Sequence, residues 1–380
     1  MNKYSRSQVT KAGKRLKAEE YSDESELQSL MDVLSYWRFA HEEPLNIAFN
    51  LLQEKVIKVD RKAIFGKRLK RYSSIVRKLE RFDTMQLGNM RDIGGCRAIV
   101  SGLNKLDKVV RSLKKDSRFR DASGKLQSRD YVSNPKEDGY RSFHLIGKFG
   151  VNVESSRFIE VQVRTIIQHD WATTLEVVDL FTGQALKSSM GKASWKRFFY
   201  YVAEQFSVMD SISGFAMMSL QEQFRLYGAK IISNEDLLES CQHAQQSART
   251  VNAVKVLNGF AQSLRILEGQ IDESRSEGYV LLKLDVRERT LEARIFTKSE
   301  SEDAEKAYTA LETENIEHDH IVVALISTAK VNDIKDAYPN FFGDSTDFIR
   351  YLSLINRFEI ERARPNSFLR LLNRTGLHRR

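Results

Sequence analysis

The most constraining feature of this chain is the run "IEVQVRT" at residues 159–165. Ile159, Val161 and Val163 alternate with Glu160, Gln162 and Arg164. A period of two belongs to a β-strand, whose successive side chains point to opposite faces. The apolar set must therefore meet a core. The polar set admits two readings: the wet outer face of an antiparallel sheet, or the floor of a site.

Around this strand the pattern is mixed α and β. Leu27, Leu30, Met31, Leu34 and Trp37 recur at helical spacing over 25–40. Pro44 is expected to break that run, with a second helix over 45–57. Residues 66–82, "GKRLKRYSSIVRKLERF", are expected to form a third helix. "CRAIV" at 96–100 reads as a short strand and 104–115 as a helix, while 140–149 and 157–164 alternate. Residues 195–225 and 234–270 are helical in pattern, and "DESRSEG" at 272–278 is the candidate linker. Beyond it, "YVLLKLDV" and "LEARIFTK" flank "RERT" as a hairpin, followed by a helix over 302–313 and the strand "IVVALIS" at 321–327. The expected organisation is a basic segment over 1–24, a principal α+β unit over 25–230, a connecting helix over 231–271, a small ββαβ unit over 279–355 and a basic tail over 356–380.

The net charge of +9 favours anionic partners such as nucleotides or nucleic acid. Residues 1–17 and 362–380 carry several lysines and arginines and no acid, which suits either solvated tails or contact with a phosphate backbone. No secretory signal opens the chain and no membrane-spanning run is expected. Two cysteines far apart indicate no disulfide framework, so a reducing cytoplasm is the simple expectation.

Four segments carry chemistry. In "MRDIGGCRAIV", Asp92 precedes two glycines at a strand entrance, a place suited either to a divalent cation or to capping a turn. Glu160 would be a second carboxylate for the same ion if the two strands are neighbours. On the expected helix over 66–82, Lys67, Lys70, Arg71, Ser74, Lys78 and Arg81 share one face; the stripe is either solvated or a seat for polyphosphate. In "RDYVSNPKEDGYRSFHLI", Pro135 and Gly139 mark a loop, after which Tyr140, Ser142 and His144 fall on one strand face. Tyr140 is placed either to stack a nucleobase or to pack at an edge.

Together these segments resemble the synthetase domain of the RelA/SpoT family of nucleotide pyrophosphokinases, over residues 65–175. "RLKRYSSIVRKLER" is similar to the family's ATP-binding helix, "RDIGGCRAIV" to its metal-binding segment, and "DYVSNPKEDGYRSFH" to the loop that receives the acceptor. "EVQVRT" followed by "HDWA" is similar to its catalytic strand. The resemblance implies an α+β, nucleotidyltransferase-like mixed sheet flanked by helices. It implies ATP binding by Arg68, Lys70, Ser74 and Lys78, and Mg²⁺ held by Asp92 and Glu160, with Glu160 also activating a ribose 3′-hydroxyl. It places Lys136, Tyr140, His144 and Gln162 around the acceptor, with Arg97 and Arg164 in support. The implied reaction moves the β,γ-diphosphate of ATP to a 3′-hydroxyl and releases AMP.

One departure stands out. Many synthetases follow the "WA" with a Glu-His pair, where this chain has Glu176 and Val177. No hydrolase unit is expected: His169–Asp170 falls inside the synthetase match, and no helical domain precedes it to hold a metal. Three readings of function remain. The acceptor is GDP or GTP, giving (p)ppGpp; or it is the 3′-terminal adenosine of tRNA, in a toxic enzyme restrained by its own C-terminal region; or the chain is a nucleotide-binding regulator without activity. The C-terminal region is also a candidate sensor of a protein trigger, through an apolar patch of Tyr338, Phe341, Phe342 and Phe348 whose other reading is ordinary packing.

Overall fold

The computed structural model describes residues 4–18, 21–182, 186, 191–263, 265–268, 278–316, 318, 320–328 and 344–358. Three helices lead: α1 (Arg6–Ala18), α2 (Glu24–Phe39) and α3 (Glu42–Ile57). Pro44 lies in the first turn of α3, where its missing N–H costs nothing. The break between α2 and α3 falls just before it, at Ala40 and His41.

Residues 66–82 are not one helix. They divide into strand β1 (Ile64–Leu69), a turn, and α4 (Tyr72–Arg81). β1 pairs antiparallel with β2 (Gly94–Val100), so its side chains alternate between faces. Lys67 therefore leaves the stripe expected of it. It points to the apolar side, where its Nζ reaches Asn46 Oδ1 at 2.6 Å and lies 5.1 Å from the Phe49 ring.

The chain continues through α5 (Leu103–Leu113), β3 (Ser128–Asp130), β4 (Phe143–Phe149), β5 (Arg157–Thr165) and α6 (Ile166–Thr182). β5 runs parallel to β2 and antiparallel to β4. The apolar residues of β2, β4 and β5, including Ala98, Leu145, Ile159, Val161 and Val163, are buried against α3 and α5. That burial fixes the register, because a slip of one residue would turn Glu160 and Gln162 into this core.

Next come α7 (Ala193–Asp210), α8 (Leu220–Ile232), α9 (Glu235–Thr250) and α10 (Ala253–Ser263), then the short strand β6 (Arg265–Glu268). The single connecting helix expected over 231–271 is thus two helices and a strand. The linker at 272–278 lies outside the described residues except Gly278, which begins β7 (Gly278–Asp285). β8 (Thr290–Thr297), α11 (Ser301–Glu314) and β9 (Ile321–Thr328) complete the ββαβ pattern, and α12 (Thr346–Arg357) ends the described chain.

The ββαβ segment does not stand apart. β9 pairs with β1 at Lys67↔Ser327 and Arg68↔Ile326, giving one nine-stranded mixed sheet in the order β3-β4-β5-β2-β1-β9-β7-β8-β6. Without this addition β1 would be an open edge. The fold is α+β, a mixed sheet flanked by helices, as the sequence implied.

Two further expectations meet the structure here. The basic N-terminal run is not a solvated tail beyond residue 5: α1 buries Val9, Ala12 and Leu16 against α2 and α4. In the suggested apolar patch, Phe348 is packed on α12 within reach of Phe198, Phe199 and Phe206, while Tyr338, Phe341 and Phe342 lie outside the described residues. Phe348→Ala should destabilise the helical layer by about 3–5 kcal/mol, read as a lower denaturant midpoint, because a fully buried ring leaves a cavity.

Candidate active site

The sheet face opposite that core gathers the polar residues. Register places Arg68 beside Gly95, Gly95 beside Glu160, and Glu160 beside Ile146. One step along, Gly66, Arg97, Gln162, His144 and Arg129 form the next row. Strand alternation thus puts Arg68, Arg97, His144, Glu160, Gln162 and Arg164 on one face.

Gly94 and Gly95 serve different purposes. A Cβ on Gly94 would meet Ile159 Cδ1 at 2.7 Å, so its absence lets β2 and β5 close up. A Cβ on Gly95 would find nothing nearer than Glu160 O at 3.8 Å, which leaves open room beside the acid.

Glu160 belongs to a closed ring of hydrogen bonds. His144 Nδ1 lies 3.0 Å from Glu160 Oε1, and His144 Nε2 lies 2.9 Å from the Tyr140 hydroxyl. Arg164 Nη2 donates to that hydroxyl at 2.7 Å and to Gln162 Oε1 at 2.9 Å. Gln162 Nε2 donates to Glu160 Oε2 at 2.6 Å, which closes the ring. The proton positions follow from the charges. Burial alone would raise the Glu160 carboxyl, but the His144 bond, aided by Gln162 and Lys70, brings it down to about 2. An ionised Glu160 needs a donor at His144 Nδ1, so in the neutral imidazole Nε2 accepts from the Tyr140 hydroxyl. Burial also pushes the Tyr140 hydroxyl up against the pull of Arg164, so it keeps its proton.

This ring has a pH signature. The Glu160 carboxyl is lower in the folded chain than its ordinary 4.5. Its stabilisation is therefore complete above that ordinary value and is lost as pH falls toward about 2. His144→Ala should flatten this acid limb, measured as the denaturant midpoint between about pH 5 and pH 2.

Asp92 ends the loop entering β2 and is clasped by two ammonium groups, Lys78 at 2.7 Å and Lys70 at 3.1 Å. Burial would raise its carboxyl, yet Lys70 and Lys78 hold it below the usual range while Glu160 pushes the other way. The two acids are thus near enough to repel. Around them the positive charge is crowded. Burial pushes Lys70 down and Asp92 opposes, with Lys78 and Arg68 adding to the fall. Burial, then Arg68, brings Arg71 down to about 10, with Glu176 and Tyr308 opposing. Glu176, which is followed by Val177, thus acts on Arg71. Ser74 lies one helical turn before Lys78 on α4.

Lys136 sits over two aromatic rings, 4.7 Å from Tyr140 and 4.9 Å from Tyr131. Arg164 lies 5.2 Å from the Tyr140 ring, and Trp171 of the "HDWA" segment packs edge-on behind it. Gly139 must be glycine: its φ is +91° and a Cβ there would strike Ala203 Cβ. The site also contains Tyr131 and Arg129, which sequence reasoning missed. Arg129 lies on a strand of three residues, too short to show a period, and Tyr131 in the turn that follows it. Arg97 is buried on the same face, in register with Gln162.

The donor set suits magnesium. Two ionised carboxylates with room beside them leave most of a hard, six-coordinate shell to water and phosphate oxygens. Among the described residues no group of three or more His, Cys, Asp or Glu side chains is placed to hold a metal, so a site complete without substrate is lacking there. Cys96 and Cys241 are both buried and unbridged. Among the same residues no helix is long and apolar enough to cross a membrane.

A family profile described as "Region found in RelA / SpoT proteins" matches residues 67–177, which hold both carboxylates, the two lysines that clasp Asp92 and the hydrogen-bonded ring. The segment is similar to that region. Its relatives include GTP pyrophosphokinase YwaC of Bacillus subtilis (strain 168), 36% identical over 114 residues, covering 28% of this chain and 52% of that protein. GTP pyrophosphokinase YjbM of the same organism is 31% identical over 113 residues, covering 28% of this chain and 51% of that protein. The chain thus spans about half the length of the curated relatives it matches. Among solved structures, small alarmone synthetase 1 from Bacillus subtilis bound to its product pppGpp is 23% identical with a TM-score of 0.37, over 44% of this chain and 90% of that one. A GTP pyrophosphokinase family protein from Streptococcus pneumoniae is 23% identical with a TM-score of 0.38, over 50% and 96%. The RelA/SpoT region begins inside β1 and ends inside α6, so β9 and α11 lie outside it.

Proposed function

We propose that the chain is a pyrophosphokinase that transfers the β,γ-diphosphate of ATP to the ribose 3′-hydroxyl of GDP or GTP, forming (p)ppGpp and AMP. The observation that carries this reading is the pairing of two ionised carboxylates, one clasped by lysines and the other locked in a hydrogen-bonded ring. Arg68, Lys70, Ser74 and Lys78 bind the ATP phosphates and adenine. Asp92 and Glu160 hold Mg²⁺, which supplies charge neutralisation for the transferring group when bound. Lys70 and Lys78 exchange Asp92 for phosphate oxygens as the nucleotide enters, which relieves their mutual repulsion. Lys136, Tyr131 and Tyr140 form the aromatic side of the acceptor pocket, with His144 and Gln162 beneath.

Each Glu160 oxygen already accepts one hydrogen bond, which leaves one lone pair for Mg²⁺ and one for the attacking hydroxyl. A carboxyl held at about 2 is a weak base. The hydroxyl proton becomes acidic as its oxygen bonds to phosphorus, so proton removal accompanies attack rather than preceding it.

A second reading takes the 3′-terminal adenosine of tRNA as the acceptor. It is supported by Lys11 and Lys14 on α1 and Arg77 and Arg81 on α4, all exposed on two helices packed together. Competition decides between them. The full-length protein is given γ-labelled ATP and Mg²⁺ with GDP, GTP and deacylated tRNA together. Label on guanine nucleotide supports the first reading, and label on tRNA replaces it with the second. ATP binding with no transfer to any acceptor would leave a nucleotide-binding regulator.

A further inference from the structure

The segment 278–328 lies outside the RelA/SpoT region, yet it reaches the donor side of the site at two points. β9 extends the sheet from β1, the strand that carries Arg68. From α11, Glu312 crosses to the start of α4. One of its carboxylate oxygens accepts the Tyr72 backbone N–H at 3.0 Å, and the other meets Arg38 Nη1 at 2.6 Å. The Tyr308 hydroxyl, one turn back on α11, bonds both Arg38 and Glu312. The ion pair is enclosed, with side-chain exposures of 0% for Arg38 and 7% for Glu312.

The first N–H groups of a helix have no partner within the helix, and an acceptor just before it normally supplies one. In α4 that preceding residue is Arg71, whose guanidinium carries donors only. Glu312 brings the missing acceptor from another part of the chain, together with a negative charge at the positive end of the helix. Lys78, which clasps Asp92, rides on the same ten-residue helix. A helix this short depends on its surroundings for its position.

We infer that Glu312 is a positioning residue for α4, and that the C-terminal ββαβ segment thereby completes the ATP side of the site. This rests on the reading of α4 as the ATP-binding helix. It makes the segment part of the donor site, whatever restraint it also exerts.

The test uses full-length protein with the double variant Arg38→Met/Glu312→Leu and, separately, with Glu312→Gln in the same Arg38→Met background. The double variant removes the acceptor without leaving a buried charge alone, an exchange that proteins often tolerate. The glutamine keeps an oxygen for Tyr72 N–H. Hydrogen exchange is followed at the amides of residues 72–75, and binding of α,β-methylene-ATP and of GDP is measured by calorimetry. In the double variant these amides should exchange about tenfold faster and ATP-analogue affinity should fall about tenfold, with GDP affinity unchanged. Glu312→Gln in the Arg38→Met background should stay close to the wild type in all three, because the Tyr72 acceptor is kept and no buried charge is left alone. Unchanged exchange and unchanged ATP-analogue affinity in the double variant would overturn the inference. So would equal losses of ATP-analogue and GDP binding, or a glutamine variant as impaired as the double one. A wild type that binds no ATP analogue would refute the functional reading instead, and the amide exchange alone would then decide the role of Glu312.

Discussion

Glu160→Gln is expected to slow diphosphate transfer by roughly a thousandfold while ATP-analogue affinity changes by less than about threefold. The side chains are nearly the same shape, so the loss is chemical. An amide oxygen facing His144 Nδ1 still accepts its proton, but the amide nitrogen then faces Gln162 Nε2, donor against donor. Gln162 can turn its amide to relieve this, and Arg164 then loses the Gln162 Oε1 that it now holds at 2.9 Å. The opposite amide orientation at residue 160 keeps the links only by switching His144 to the tautomer whose Nε2 donates to the Tyr140 hydroxyl, which leaves that hydroxyl's own proton without a partner in the ring. The variant also removes the negative charge that draws a proton from the 3′-hydroxyl. Single-turnover rates with saturating ATP and acceptor measure the chemical step. A variant that transfers at the wild-type rate would remove Glu160 from the reaction.

The second large effect is expected at Asp92. Asp92→Asn removes the charge that faces both Lys70 and Lys78. The two ammonium groups are left to repel each other, and Mg²⁺ loses one of its two carboxylates. Transfer should fall by roughly a hundredfold or more, with a higher Mg²⁺ requirement for half-maximal rate. Mn²⁺ binding followed by paramagnetic resonance in the presence of α,β-methylene-ATP gives a second readout independent of turnover. An unchanged metal requirement would place the ion elsewhere.

The sequence carried the site further than the fold. The alternation of Glu160, Gln162 and Arg164 sufficed to place these three side chains on one face, because period two is a local property of the strand. It could not show that Glu160 lies beside Gly95, since strand pairing is set by residues far away in the chain. The misreading of 66–82 has the same origin. Lys67, Lys70, Arg71, Ser74, Lys78 and Arg81 have helical spacing, but β2 is available to pair with Ile64–Leu69, and that pairing overrides the local pattern. Lys67 went to the wrong face as a result, whereas Lys70 and Lys78 still meet at Asp92 from the turn and the helix. Equally illegible were the joining of β9 to β1 and the reach of Glu312 to Tyr72, which link residues more than two hundred positions apart. A glutamate on an amphipathic helix gives no local sign of such a partner.

The central claim is that this face transfers the two terminal phosphates of ATP as one unit. Full-length protein is incubated with Mg²⁺, GDP and either α-labelled or γ-labelled ATP, and the products are separated. The account predicts γ-label in a guanosine product, α-label in AMP, and equal amounts of the two. Label from the α-phosphate in ADP, with a single phosphate on the acceptor, would contradict it.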